Sequence, residues 1–134
     1  MELVREPENG NEDRTVVASR VEFADSPLER ARGLMFRSVP ADYALVFDFP
    51  EVRRRGIHTL FVPDTIGVCW LVAGSVERIE RMRPFRGFGF ARADRVVELP
   101  AGGADGLSVG DRLVLEDRAD DGPGAGRCFD NRQG

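Results

Sequence analysis

The chain has 134 residues, 42% of them apolar, with 19 basic and 23 acidic side chains and a net charge of −4. That length supports one domain burying roughly two thirds of its unfolded surface, so neither a disulfide nor a metal is needed to hold a core. The mild acidic balance excludes a globally basic nucleic-acid binder, and no apolar run approaches the roughly 18 residues of a membrane-spanning helix. Every cationic residue is Arg and none is Lys. This points to a GC-rich or salt-adapted, halophilic source, and it leaves Arg's planar, two-pronged chemistry toward carboxylate and phosphate available.

In chain order, residues 1–14 carry acids and Asn with no apolar stretch, so they read as a disordered arm and not as a signal peptide. A cytoplasmic location follows as the expectation. In Thr15 to Phe23, Val17, Val21 and Phe23 recur at strand spacing. Ser26-Pro27-Leu28-Glu29 then offers an N-cap Ser, a first-turn Pro and a Glu three residues on, a capping box that predicts a short helix closed by Gly33. Tyr43 to Phe49, Ile57 to Val62, Ile66 to Val72, Val76 to Met82, Val96 to Leu99 and Arg112 to Glu116 read as strands, with Ala73-Gly74-Ser75 as a hairpin turn. Residues 118–134, rich in Gly, Asp and Arg, read as a disordered tail.

The fold class expected is therefore mainly β: a small barrel-like domain over 15–117, of six or seven short strands with one short helix near its N-terminus. Cys69 lies inside an apolar run and Cys128 in the polar tail. This is neither a disulfide framework nor a zinc spacing, and Cys69 reads as a small buried hydrophobe. No metal site and no cofactor are expected.

Two glycine-punctuated segments stand out, Ala31-Arg32-Gly33-Leu34-Met35-Phe36-Arg37 and Glu98-Leu99-Pro100-Ala101-Gly102. Between and after them come Tyr43 to Phe49, Ile57-His58-Thr59, the strand from Ile66, and Gly110-Asp111. In that order, over about Val17 to Leu115, these residues resemble the family called domain of unknown function 192. The resemblance implies a compact β-rich domain and no reaction. Where the family commonly reads Pro-Ile-Asp-Val entering the central strand, this chain has Thr65-Ile66-Gly67-Val68, so an acidic side chain is missing.

Three functional readings compete. In the first, a non-catalytic module binds a small anionic or peptide-like ligand. Arg32 and Arg37 flank Met35 as an adaptable wall, and His58, the only histidine, and Glu98, on an otherwise apolar strand, complete the set. Glu98 paired with Arg37 would also lock the two family segments together. In the second, a single-stranded nucleic acid lies on Arg81, Arg83, Arg86, Phe88 and Phe90. Arg86-Gly87-Phe88-Gly89-Phe90 matches the start of a ribonucleoprotein signature, and no acid lies between Arg81 and Arg92. Against it, an RNA-recognition motif needs a helix between Leu60-Phe61-Val62 and this stretch, where the sequence reads as a hairpin. The competing bland expectation is an arginine-rich loop whose phenylalanines cap the core. In the third, an enzyme of unassigned class is built on His58, but no nucleophile elbow accompanies it and no catalytic residue is named. Arg53-Arg54-Arg55 reads as a solvated turn ahead of a strand at Ile57.

Overall fold

The computed structural model describes residues 1–8, 14–24, 40–58 and 64–117, and of His58 only the backbone. The expected helix after Ser26, the segment carrying Arg32, Met35 and Arg37, and the tail with Cys128 lie outside the described residues. The strands are β1 (Glu2–Glu6), β2 (Thr15–Ala18), β3 (Arg20–Phe23), β4 (Tyr43–His58), β5 (Ile66–Val72), β6 (Ser75–Met82), β7 (Phe88–Pro100) and β8 (Arg112–Glu116). They form one sheet in the order β2-β1-β8-β6-β5-β7-β4-β3. Its ladders are antiparallel except for the parallel pair β3 and β4. No helix among the described residues is long and apolar enough to cross a membrane.

The two outermost strands of that order, β2 and β3, are consecutive in the chain and separated only by Ser19. Asp42 holds the bend: its carbonyl accepts the N–H groups of Ser19 and Arg20, both at 2.9 Å, and its carboxylate accepts the Ser19 hydroxyl at 2.7 Å. The sheet therefore curls strongly, yet no ladder joins β2 to β3. Among the described residues the architecture is a mainly β, eight-stranded sheet that is not closed, so the coarser expectation of a β-rich domain stands and barrel closure is not seen.

Three stretches depart from the sequence reading for one reason, that pairing partners overrule local propensity. The arm expected to be disordered carries β1. Leu3 is fully buried and Val4 nearly so, because β1 pairs with β2 on one side and with β8 on the other. Arg53-Arg54-Arg55 is no turn: these residues continue β4 opposite Ala93, Arg92 and Ala91. The expected loop around Phe88 and Phe90 is the first part of β7, opposite His58 and Gly56.

The core has two faces, and β5 serves both. Period-2 alternation sends Cys69 and Leu71 toward Leu3, Val46, Val97, Leu99 and Leu113. It sends Ile66, Val68 and Trp70 toward Leu45, Phe47, Met82 and Val96. A strand covered on both sides reads as a continuous apolar run, as β5 does. Cys69 is fully buried, and that burial pushes its thiol up to about 12, so it behaves as the small hydrophobe the sequence suggested.

Gly67 lies directly under the turn that follows β7. A Cβ built on Gly67 would stand 2.9 Å from the Cβ of Ala104. Room for that turn thus comes from the missing side chain. Gly67→Ala is expected to destabilise by about 1–3 kcal/mol through overpacking. Ala104→Gly in the same chain should recover most of it. Urea unfolding of the two single variants and the double variant measures the coupling, and additive losses would refute the contact.

Candidate nucleic-acid interface

β4 and β7 pair along most of their lengths, with an irregularity between Asp48 and Arg53. Arg95 and Asp48 join across the strands there in a two-pronged ion pair. Beyond this point the two strands form a ribbon that lies back across the β5–β6 face. The indole Nε1 of Trp70 donates to the carbonyl of Arg55 at 2.9 Å, and Arg78 donates through Nη1 to the carbonyl of Phe90 at 3.0 Å. Gly89 permits the approach: a Cβ there would meet Cε of Met82 at 3.0 Å and Cη2 of Trp70 at 3.2 Å.

Alternation then fixes what the ribbon shows to solvent. With Gly89 turned inward onto Trp70, Phe88 and Phe90 turn outward. Phe88 is 68% exposed and Phe90 37%, their rings edge to face with centroids 5.9 Å apart. This overturns the expectation that the phenylalanines cap the core. On the partner strand the Arg54 guanidinium lies 3.7 Å above the Phe90 ring, a cation–π contact, whereas Arg55 packs over Phe49 at 3.9 Å. Arg92 is exposed on β7 opposite Arg54, and Arg83 and Arg86 are exposed in the connection that leads into β7. The exposed parts of the two rings together amount to about one phenylalanine side chain, forgoing roughly 1.5–3 kcal/mol of burial, and paired exposed aromatics of this kind mark a contact surface.

Of the second set of sequence candidates, Phe88 and Phe90 share the outward face with Arg54, which the sequence reading places in a turn, and Arg83 and Arg86 are exposed in the adjoining connection; Arg81 pairs with Gly67 and so lies on the face of β6 opposite to Glu80 and Met82, away from the ribbon. The signal for Arg54 was present as register, since Arg54 and Gly56 alternate with Arg55 and Ile57. The first set is not brought together among the described residues. Arg32, Met35 and Arg37 lie outside them. The backbone of His58 pairs with Phe88 at one end of the β4–β7 ladder, and Glu98 pairs with Leu45 near the other. Glu98 is 4% exposed, set between Leu45 and Val68, so its carboxylate faces the core and not solvent.

A cleft of about 400 Å³ opens elsewhere, beside the edge strand β2 and the turn after β7, lined among others by Arg5, Val16, Gly102 and Leu107. The one cation among its described residues is committed: Arg5 Nε lies 2.7 Å from Asp111 Oδ2. Asp111 is 2% exposed and also accepts the N–H groups of Ser108 at 2.9 Å and Glu8 at 3.2 Å. Burial alone pushes this carboxyl up. The hydrogen bond from Arg5, the two backbone N–H groups and the Arg5 charge outweigh that, so the group sits below its ordinary value. The corner is structural: it ties β1, the turn and β8 together.

Fold and surface thus define a class, a curled single-sheet, mainly β domain that displays a basic and aromatic ribbon. The chain belongs to the DUF192 family, described as Uncharacterized ACR, COG1430, whose pattern it matches over residues 8–115. It is similar to the UPF0127 protein PF1050 of Pyrococcus furiosus, 37% identical over 99 residues that span 69% of this chain and 84% of that protein. Among solved structures it resembles a Sinorhizobium meliloti protein described as a candidate transcription regulator, with TM-score 0.71, 27% identity, and coverage of 84% of this chain and 91% of the other. A Novosphingobium aromaticivorans protein of unknown function shares the fold, with TM-score 0.72, 20% identity, and coverage of 86% and 84%.

Proposed function

We propose that this chain is a non-catalytic binding module whose working face is the β4–β7 ribbon, and that it takes single-stranded nucleic acid. The observation that carries the reading is the outward pair Phe88 and Phe90 on a strand whose flanks are arginine. Aromatic rings accept bases by stacking without regard to sequence, and guanidinium groups follow the phosphates. The chain's net charge of −4 does not oppose this, because the stretch from Arg81 to Arg92 contains no acid. The similarity to a protein described as a candidate transcription regulator points the same way.

Fluorescence anisotropy with short labelled oligo-dT and oligo-rU tests the reading. Binding is expected to weaken steeply with salt, with a logarithmic slope of about −0.7 for each phosphate neutralised. Replacing Phe88 and Phe90 together with Ala should weaken it by at least about tenfold, since stacking contributes roughly 1–3 kcal/mol per base. Absence of binding at low salt would remove the proposal.

A second reading keeps the anionic or peptide-like ligand on Arg32, Met35, Arg37 and Glu98, without His58, whose backbone lies at the other end of the β4–β7 ladder. What favours it is the position of Glu98, a carboxylate only 4% exposed on the strand that carries the second family segment, where the donor groups of a peptide-like ligand suit it better than an anion. In that case Glu98→Gln would abolish ligand capture while leaving oligonucleotide binding unchanged.

A further inference from the structure

The connection from β6 to β7 passes through Arg83-Pro84-Phe85-Arg86, closed by a hydrogen bond from the Arg86 N–H to the Arg83 carbonyl at 3.5 Å. Pro84 occupies the second position of this turn and Phe85 the third, at φ +62°. Proline second and positive φ third is the order of a type II turn, in which the third position calls for Gly or Asn. Phenylalanine is a poor occupant, because its Cβ crowds the backbone in the left-handed region. Burial does not compensate, since Phe85 is 56% exposed. The chain therefore holds a bulky aromatic ring in a strained conformation and in water, between two exposed arginines and three residues ahead of Phe88.

We infer that Phe85 is a third aromatic platform for the same single strand that Phe88 and Phe90 hold, displayed by the turn at a cost to stability. The inference rests on the reading given under Proposed function and extends it: the bound segment continues past the ribbon onto the turn, with Arg83 and Arg86 beside it for the phosphates. Charge complementarity selects this occupant, since Arg83 and Arg86 are exposed in the turn itself and no acid interrupts the stretch from Arg81 to Arg92. A ring there for packing alone would be buried, and a residue there for the turn alone would be glycine. Strain kept at an exposed side chain is the pattern found where a backbone presents a contact group.

The test compares Phe85→Gly and Phe85→Tyr with the unaltered full-length chain, by thermal unfolding and by anisotropy with oligo-dT. Phe85→Gly should melt at the same temperature or a few degrees higher, because relief of strain meets only a partial offset from glycine's freedom in the unfolded chain. Its affinity for oligo-dT should fall about tenfold, as expected for one lost stacking platform. Phe85→Tyr keeps a ring and should bind as the unaltered chain does. Equal affinity of Phe85→Gly and the unaltered chain would overturn this inference and leave the ribbon reading standing, as would a melting temperature lowered by many degrees with binding intact. Failure of the unaltered chain to bind any oligonucleotide, or its capture by anionic lipid vesicles instead, would overturn both.

Discussion

Asp111→Ala is expected to destabilise the protein by about 3 kcal/mol, near the lower end of what breaking a buried ion pair costs, because Arg5 retains some access to water. Removing the carboxylate breaks the Arg5 ion pair and strips the acceptor from the N–H groups of Ser108 and Glu8 at once. Each buried donor left unmade adds to the loss. Asp111→Asn should be milder, since the amide oxygen can still accept, although its NH₂ must then face a donor. Chemical denaturation at neutral pH gives both values, and a loss of less than about 1 kcal/mol for Asp111→Ala would contradict the bonding described here.

The same corner sets a pH dependence whose sign is fixed. The folded-state pKa of Asp111 is lowered, so the folded state binds its proton less readily than the unfolded chain does. The stabilisation is complete above the unfolded value of about 3.9 and disappears as pH falls through the lower folded value. The unaltered protein should therefore lose stability on acidification over that window, and Asp111→Asn should lose less. Parallel curves for the two would assign the acid sensitivity to other carboxylates.

Trp70→Ala is expected to cost more, about 3–5 kcal/mol, as for other large aromatic truncations in a core. Trp70 is fully buried, and it carries the ribbon: its indole donates to the Arg55 carbonyl and its ring lies against Gly89. The expected signature is local as well as global. Hydrogen exchange at Arg54 to Ile57 and at Gly89 to Ala91 should accelerate beyond what the overall loss explains, because the cavity opens beneath those residues. Trp70→Phe keeps most of the volume but removes the indole's hydrogen bond to the Arg55 carbonyl, at about 1 kcal/mol. Uniform acceleration across all strands would show that the ribbon does not depend on Trp70 in particular.

Much of this was legible along the chain. Apolar runs bounded by turn residues mark β5, β6 and β8, and the two-residue turn Ala73-Gly74, with both φ positive, joins Val72 to Ser75 as a hairpin. The basic and aromatic stretch was visible as a candidate surface, but whether Phe88 and Phe90 face inward was not. That depends on which way Gly89 points, and Trp70, distant in sequence, decides it. β1 was hidden for a related reason. Glu2-Leu3-Val4-Arg5-Glu6 carries only two apolar residues, and it becomes a strand because β2 and β8 complete its hydrogen bonds on both sides.

Composition, alternation and motif order along the chain suffice for the class: a lysine-free, mainly β chain of the DUF192 family, with a buried cysteine and one concentrated run of arginine and phenylalanine. Long-range packing settles the rest: that the triple arginine is strand, that the sheet curls without closing among the described residues, that Ala104 fills the space above Gly67, and that Phe88 and Phe90 face outward. Alternation along a strand is written locally, but the choice of which alternate face is buried belongs to whatever packs against it. For β4 and β7 that is Trp70 on another strand, so the outward face of the ribbon follows from a contact that no local pattern contains.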